Sequence, residues 1–125
     1  KDLNNFMCIT VGTGIGAGIF INGSIFRGAH YRAGEVGFGI VRDHYRKRPI
    51  GETMLSNTAA MRPLRIFVEE KLGLSLTGQE IMKQRKENPE ILEIYNNWIF
   101  DIATGIYNNI YTLDRKSFNW WWNKF

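Results

Sequence analysis

Four glycines at alternate positions, Gly12, Gly14, Gly16 and Gly18, interrupt an otherwise apolar, β-rich stretch, and no other feature of the chain constrains its fold as much. Ile9 to Val11 before them and Gly18 to Ile21 after them read as strands, so a tight turn has to join the two. A turn built this way exposes backbone N–H groups in a concave nest, which can hold phosphate oxygens, and Thr13 adds a hydroxyl donor. A side chain at the glycine positions would block close approach of an anion. The plainer reading of the same run is a hairpin whose glycines only permit bending. Asn22-Gly23 follows between apolar runs and is the strongest short-range signal for a two-residue hairpin. Downstream, Arg27-Gly28-Ala29 and Ala33-Gly34-Glu35-Val36-Gly37 put one acidic residue, Glu35, into a loop of small residues.

In chain order, Lys1 to Asn5 is a polar lead-in without an initiator methionine, which raises the expectation that the chain begins inside something larger. Strands are predicted over Phe6 to Val11, Gly16 to Ile21, Ser24 to Arg27 and Gly37 to Arg42, with residues 28 to 36 as the loop that carries Glu35. From Pro49 onward the period becomes helical. One helix opens at Ile50 and continues through Ala60. Pro63 either kinks it or stands in the first turn of the next, in which Leu64, Phe67, Val68 and Leu72 form an apolar face stopped by Gly73. Thr77 and Glu80 have capping-box spacing before a short helix, Gly78 to Lys86. Asn88-Pro89 starts a long helix that runs to about Leu113, with a wide apolar band from Ile91 to Leu113 expected to pack against the sheet; Ala103 and Gly105 would admit another backbone closely.

The 125 residues are 44% apolar and 22% charged, an ordinary composition for about one domain. Net charge is +4 and the pI about 9.4, yet the basic residues scatter, and only Arg42 to Arg48 is dense. Neither a basic stripe with interleaved aromatics nor a DNA-binding motif is present, so nucleic acid is not an expected partner of this chain. The single cysteine, Cys8, cannot form an internal disulfide; a buried thiol and a reducing, cytoplasmic setting are expected. No apolar run approaches the roughly 18 residues of a membrane span.

The pattern Gly-Thr-Gly-Ile-Gly-Ala-Gly-Ile, Asn-Gly, Arg-Gly-Ala, Ala-Gly-Glu-Val-Gly across residues 9 to 42 resembles the signature of the ROK family, bacterial sugar kinases and sugar-responsive transcriptional repressors of the actin-like ATPase superfamily. A weaker similarity runs on to Asp114. The fold the resemblance implies is α/β: an actin-like ATPase (ribonuclease H-like) lobe, a mixed sheet with a hairpin followed by helices, as an incomplete domain. Residues 1–114 would be part of the carboxy-terminal lobe. The resemblance implies that Gly12, Thr13, Gly14 and Gly16 bind ATP phosphates and that Glu35 contacts sugar hydroxyls. Glu52, in Ile-Gly-Glu-Thr-Met-Leu-Ser, resembles a second sugar-contacting glutamate, although a first-turn helix glutamate is ordinarily a solvated charge favoured by the macrodipole. ATP with Mg²⁺ and a sugar are the implied ligands of the full-length parent, with a carboxylate taking the hydroxyl proton. The family's catalytic aspartate has no counterpart in these residues, so no catalytic residue is assigned. Family members are often dimers, which leaves a homodimer among the implied partners.

Two stretches depart from the family pattern. The histidine expected after Glu-x-Gly is Phe38, and Tyr45-Arg-Lys-Arg-Pro-Ile-Gly51 stands where a cysteine-rich zinc motif would precede Glu52. Without thiolates no four-ligand zinc set exists; His30 and His44 read as surface loop residues, and no zinc is expected. The tail, residues 115–125, contains Trp120-Trp121-Trp122, which has neither helical nor strand periodicity. Tryptophan has one codon, so Asn-Trp-Trp-Trp-Asn is read from AAY-TGG-TGG-TGG-AAY. Shifted by one base, the same DNA encodes Ile or Thr, then Gly-Gly-Gly, and the flanking codons permit Leu-Ile-Gly-Gly-Gly-Ile-Ser, which resembles the adenosine loop that follows the long helix in ROK proteins. The expectation is a reading frame lost near Ser117. Three readings stand: a fragment of an ATP-dependent kinase for a hexose or N-acetylated amino sugar, inactive by itself; the sugar-sensing domain of a repressor; or a folded, degenerate domain.

Overall fold

The computed structural model describes residues 4–42, 50–113 and 119–122. Strand β1 (Phe6–Val11) runs into β2 (Ile15–Ile21), and β3 (Ser24–Ile25) completes an antiparallel meander. The register pairs Phe6 with Phe20 and Val11 with Ile15, which leaves Gly12, Thr13 and Gly14 as the connection. At Asn22-Gly23 both residues have positive φ, 53° and 76°, as a two-residue turn matching the strand twist requires. A fourth strand, β4 (Asn119–Trp122), pairs parallel to the other edge of β1, giving the order β3-β2-β1-β4 and the mixed sheet expected. The tryptophans thus do lie in a strand, despite lacking its periodicity; the remainder of the tail, 115–118 and 123–125, lies outside the described residues.

Alternation sorts the hairpin into two faces. Met7, Ile9, Val11, Ile15 and Ile19 are buried, whereas Phe6, Cys8 and Gly18 are half-buried and Thr10 is exposed. Cys8 therefore points to the outer face and is not the fully buried thiol expected.

The helices are α1 (Ile50–Thr53), α2 (Leu55–Ala59), α3 (Met61–Leu72), α4 (Gly78–Gln84) and α5 (Pro89–Leu113). What the apolar spacing suggested was one helix from Ile50 to Ala60 is broken at Met54 and again at Ala60, both extended, and Pro63 falls in the first turn of α3, where its missing N–H costs no helical bond. Gly73 ends α3 in the left-handed conformation and donates to the Glu69 carbonyl at 2.9 Å. Thr77 and Glu80 form the reciprocal box expected: the Thr77 amide donates to Glu80 Oε2 at 2.7 Å and the Glu80 amide to Thr77 Oγ1 at 3.3 Å. Asn88 Oδ1 accepts from the amides of Glu90 and Ile91 and so opens α5.

Ile91, Ile94, Trp98 and Ile102 bury one face of α5 in the core that it shares with α2, α3 and the inner face of the hairpin. Tyr107, assigned to that band from sequence, is 61% exposed. Gly105 does admit a close neighbour, the Leu55 side chain of α2. Trp98 resolves its polar atom by donating Nε1 to the Ala60 carbonyl at 3.0 Å, at the break between α2 and α3. No helix among the described residues is long and apolar enough to cross a membrane.

Candidate functional site

The turn after β1 is held from behind. The Gly12 amide donates to the Gly14 carbonyl at 2.9 Å, and the Gly12 carbonyl accepts from the Met61 amide at 2.8 Å, so the first turn of α3 is hydrogen-bonded directly to the turn. The Gly12 N–H, expected to face an anion, is used inside the turn instead. Thr13 and Gly14 are exposed, and among the described residues neither of their amides donates to a carbonyl. Thr10 to Gly16 line an open concavity of about 430 Å³. Gly14, Gly16 and Gly18 all lie outside the positive-φ region. Among the described residues, a Cβ at Gly14 would meet nothing within 4 Å, and one at Gly16 would only touch Thr10 Oγ1 at 3.6 Å. Folding by itself does not demand glycine at 14 or 16, while approach of a bulky anion would.

The loop that carries Glu35 is fixed by the opposite kind of glycine. Gly34 has φ +89°, and a Cβ there would overlap the Ala17 carbonyl oxygen of β2. At Gly37 a Cβ would overlap Ser56 Oγ and lie 2.6 Å from the Ile15 carbonyl oxygen. Between the two sits a single 3₁₀ turn, Val36–Phe38, with Glu35 at its start. The strand expected over Gly37 to Arg42 is not formed: the close packing of Gly37 on β2 and α2 curls the chain, and only Ile40 makes a β-bridge, to Met54. That bridge is flanked by bonds from the Leu55 amide to the Gly39 carbonyl at 2.8 Å and from the Val41 amide to the Thr53 carbonyl at 3.0 Å.

Glu35 and Glu52 are both exposed, Glu35 in a loop seated on β2 and Glu52 in α1, one residue before the seam that joins the two segments. The Gly12–Gly16 turn leads directly into the same stretch of β2, from Ile15 to Ala17, on which the Glu35 loop packs. His30 is exposed, whereas His44 and most of the substituted zinc-motif stretch lie outside the described residues. Among the described residues no group of three His, Cys, Asp or Glu side chains converges on one point.

Sequence reasoning missed Arg42 and Asp101. Arg42 Nε donates to Asp101 Oδ1 at 2.8 Å and Nη2 lies 2.7 Å from Oδ2, a two-point pair in which Asp101 is 2% exposed. Arg42 opens the dense basic run, and nothing in that run marks it as the partner of a buried acid. The detectable signal was a lone acid, Asp101, inside the apolar face of a helix, a position that demands a partner.

The ROK family model matches residues 1–118. A β-glucoside kinase from Listeria innocua is 40% identical over 118 residues, covering 91% of this chain and 40% of that protein. A xylose repressor from Staphylococcus xylosus is 25% identical over 112 residues, covering 90% of this chain and 29% of the repressor. Among solved structures, the Lmo2764 protein of Listeria monocytogenes superposes with a TM-score of 0.88 at 34% identity, over 98% of this chain and 43% of that one. The chain thus spans about 40% of the length of the β-glucoside kinases it matches. Its architecture is that of the ROK sugar kinases, the actin-like ATPase fold. With the glycine turn, the Glu35 loop and the helices behind them all accounted for, the chain belongs to the ROK family.

Proposed function

We propose that this chain is the part of an ATP-dependent sugar kinase that holds the terminal phosphates of the nucleotide at Gly12, Thr13, Gly14 and Gly16 and the sugar at Glu35 and Glu52. The observation that carries the reading is Gly14: exposed, its own amide and that of Thr13 without a carbonyl partner among the described residues, and glycine for no reason that those residues supply. Thr13 and Gly14 would donate to phosphate oxygens, while the two carboxylates accept from sugar hydroxyls and fix which one faces the phosphate; in-line transfer depends on such positioning. Among the described residues no three metal-ligating side chains converge; Mg²⁺ would enter with the nucleotide and neutralise phosphate charge, and no role assigned to this chain's residues is routed through it. The sugar class is a hexose, a β-glucoside or an N-acetylated amino sugar, the first two favoured by the 40% identity to a β-glucoside kinase. Holding only one wall of the cleft, the isolated chain does not turn over.

The test is a titration of the 125-residue protein with ATP and Mg²⁺, followed by amide NMR. Shifts centred on Thr13, Gly14 and Gly16 are expected, and an unchanged turn rejects the nucleotide reading. A coupled assay with the same protein is expected to be silent; turnover would reject the half-site reading. A repressor's sugar-sensing domain is the second reading, favoured by the match to the xylose repressor. A winged helix-turn-helix encoded upstream would select it, and an upstream catalytic aspartate would select the kinase.

The proposal extends to residues 115–125 as a frame-shifted segment. Its support is that β4 runs parallel to β1 with Trp122 opposite Val11, so the chain leaves β4 at the same end of the sheet as the Gly12–Gly14 turn. Codons read one base over would put Gly-Gly-Gly at that end. Sequencing the encoding DNA tests this: a shifted frame that stays open beyond the three glycine codons is expected, and a stop codon directly after them in that frame would remove it.

A further inference from the structure

We infer that Arg42 and Asp101 are a clasp that sets the position of the sugar-facing acids, and that both are positioning residues rather than surface charges. The reason is where Arg42 sits in the chain of bonds. Through its own backbone and that of Val41 it donates to the Thr53 carbonyl, at 3.4 and 3.0 Å, and Thr53 directly follows Glu52. Upstream, Gly39 and Ile40 continue the same seam to Leu55 and Met54 and lead back through the 3₁₀ turn to Glu35. Through its guanidinium Arg42 then fastens this doubled segment to the middle of α5, by the Nε hydrogen bond to Asp101 Oδ1 and the close charge contact of Nη2 with Oδ2. The Glu35 loop is otherwise seated on β2 by Gly34 and Gly37 and against Ser56 of α2 by Gly37. One pair therefore ties together the segments bearing both acids and the longest helix.

A buried ion pair is a poor source of net stability, because desolvation of the charges offsets their attraction; its two-point geometry instead fixes orientation. Apolar residues of similar size can replace such a pair without losing the fold, whereas removing one partner strands a buried charge. Stability and positioning can therefore be separated experimentally.

The experiment is amide hydrogen exchange on the 125-residue chain and on Arg42→Met, Asp101→Asn and the double variant Arg42→Met/Asp101→Leu. The clasp predicts that the amides of Phe38, Gly39, Val41 and Leu55 exchange at least tenfold faster in all three variants, with those of β1 and β2 unchanged. In the double variant the thermal midpoint is expected to return toward that of the parent chain while exchange at the seam stays fast. Recovery of both together, seam exchange changed less than twofold, or a uniform increase over the whole chain would each overturn the inference. If the single variants do not fold, the double variant and Arg42→Lys decide it, the latter with a smaller rise at the same amides.

The consequence for sugar rests on the functional reading above and has its own arm. Methyl β-glucoside is expected to bind the double variant at least fivefold more weakly than the parent chain, with affinity for inorganic triphosphate unchanged. Equal weakening of both ligands overturns the positioning role. No binding of the glycoside to the unsubstituted chain would sink the sugar assignment of Glu35 and Glu52, while exchange at the seam still decides the clasp.

Discussion

The two glycine loops of this chain look alike in sequence and are unlike in structure. In the Glu35 loop, Gly34 and Gly37 are glycine because the protein itself occupies the space: the Ala17 and Ile15 carbonyls and the Ser56 hydroxyl stand where a Cβ would go. In the turn after β1, the space around Gly14 is empty and its φ is one that any residue adopts. The first kind of glycine serves packing. The second has no such packing role among the described residues, which is what the proposed phosphate contact would explain. On the proposed function the contrast has a reason: a loop that carries a ligand-binding side chain has to be held still, while a turn that binds through its backbone has to stay bare.

The largest effect that can break this contrast is at Gly37. Replacing it by Ala is expected to destabilise the chain by about 2–3 kcal/mol, the cost typical of overpacking, as read by urea denaturation. Gly34→Ala belongs in the same range, since strain at positive φ adds to its clash. A loss below about 0.5 kcal/mol at either position, the level of an ordinary surface change, would mean that the acid loop is not seated as described.

Next comes the support beneath the bare turn. Trp98→Phe removes the donor to the Ala60 carbonyl, one residue before the amide that holds Gly12. A loss of about 1–2 kcal/mol is expected for the buried bond, together with weaker triphosphate binding by isothermal titration. Stability lost with binding intact would uncouple α3 from the turn.

A smaller effect, distant from both loops, separates local from global loss. Glu80 is held below the ordinary glutamate value of 4.5 by accepting first from the Thr77 amide and then from the Thr77 hydroxyl. A depressed folded-state value means that its contribution is present above pH 4.5 and is lost as pH falls through the lower folded-state value. Glu80→Gln should therefore flatten the acid limb of the stability profile below pH 4.5 and leave triphosphate binding untouched. An identical acid limb in the variant would remove the capping box as its cause.

The smallest expected change in stability is the most informative. Gly14→Ala should leave unfolding within about 0.5 kcal/mol of the parent, as for a surface substitution, yet weaken triphosphate binding tenfold or more. Destabilisation comparable to Gly37→Ala would erase the distinction between the loops, and unaltered binding would leave the turn a mere hairpin.

Much of this was legible in the chain. The Asn22-Gly23 hairpin, the Thr77–Glu80 box, the stop at Gly73 and the start of α5 at Asn88-Pro89 are each decided by a few neighbouring residues with particular φ or capping chemistry, and the structure has them where the residues say. Gly37 to Arg42 failed as a strand for the same reason that Ile50 to Ala60 failed as one helix. In both, local propensity was overruled by contacts across more than ten residues: Gly37 with Ile15, and Trp98 with Ala60.

What the sequence determined by itself was the glycine-turn hairpin, helices α3 to α5, the family, and the identity of the turn and acid that its spacing singles out. Only the tertiary structure decided which glycines are required by packing and which stand open, that Trp98 of α5 donates to the break between α2 and α3, and that Arg42 answers Asp101 across 59 positions. The physical reason is range. Caps and tight turns are settled by bonds within one turn of chain, whereas clearance around a Cβ and pairing of a buried charge depend on groups that only the folded arrangement brings together.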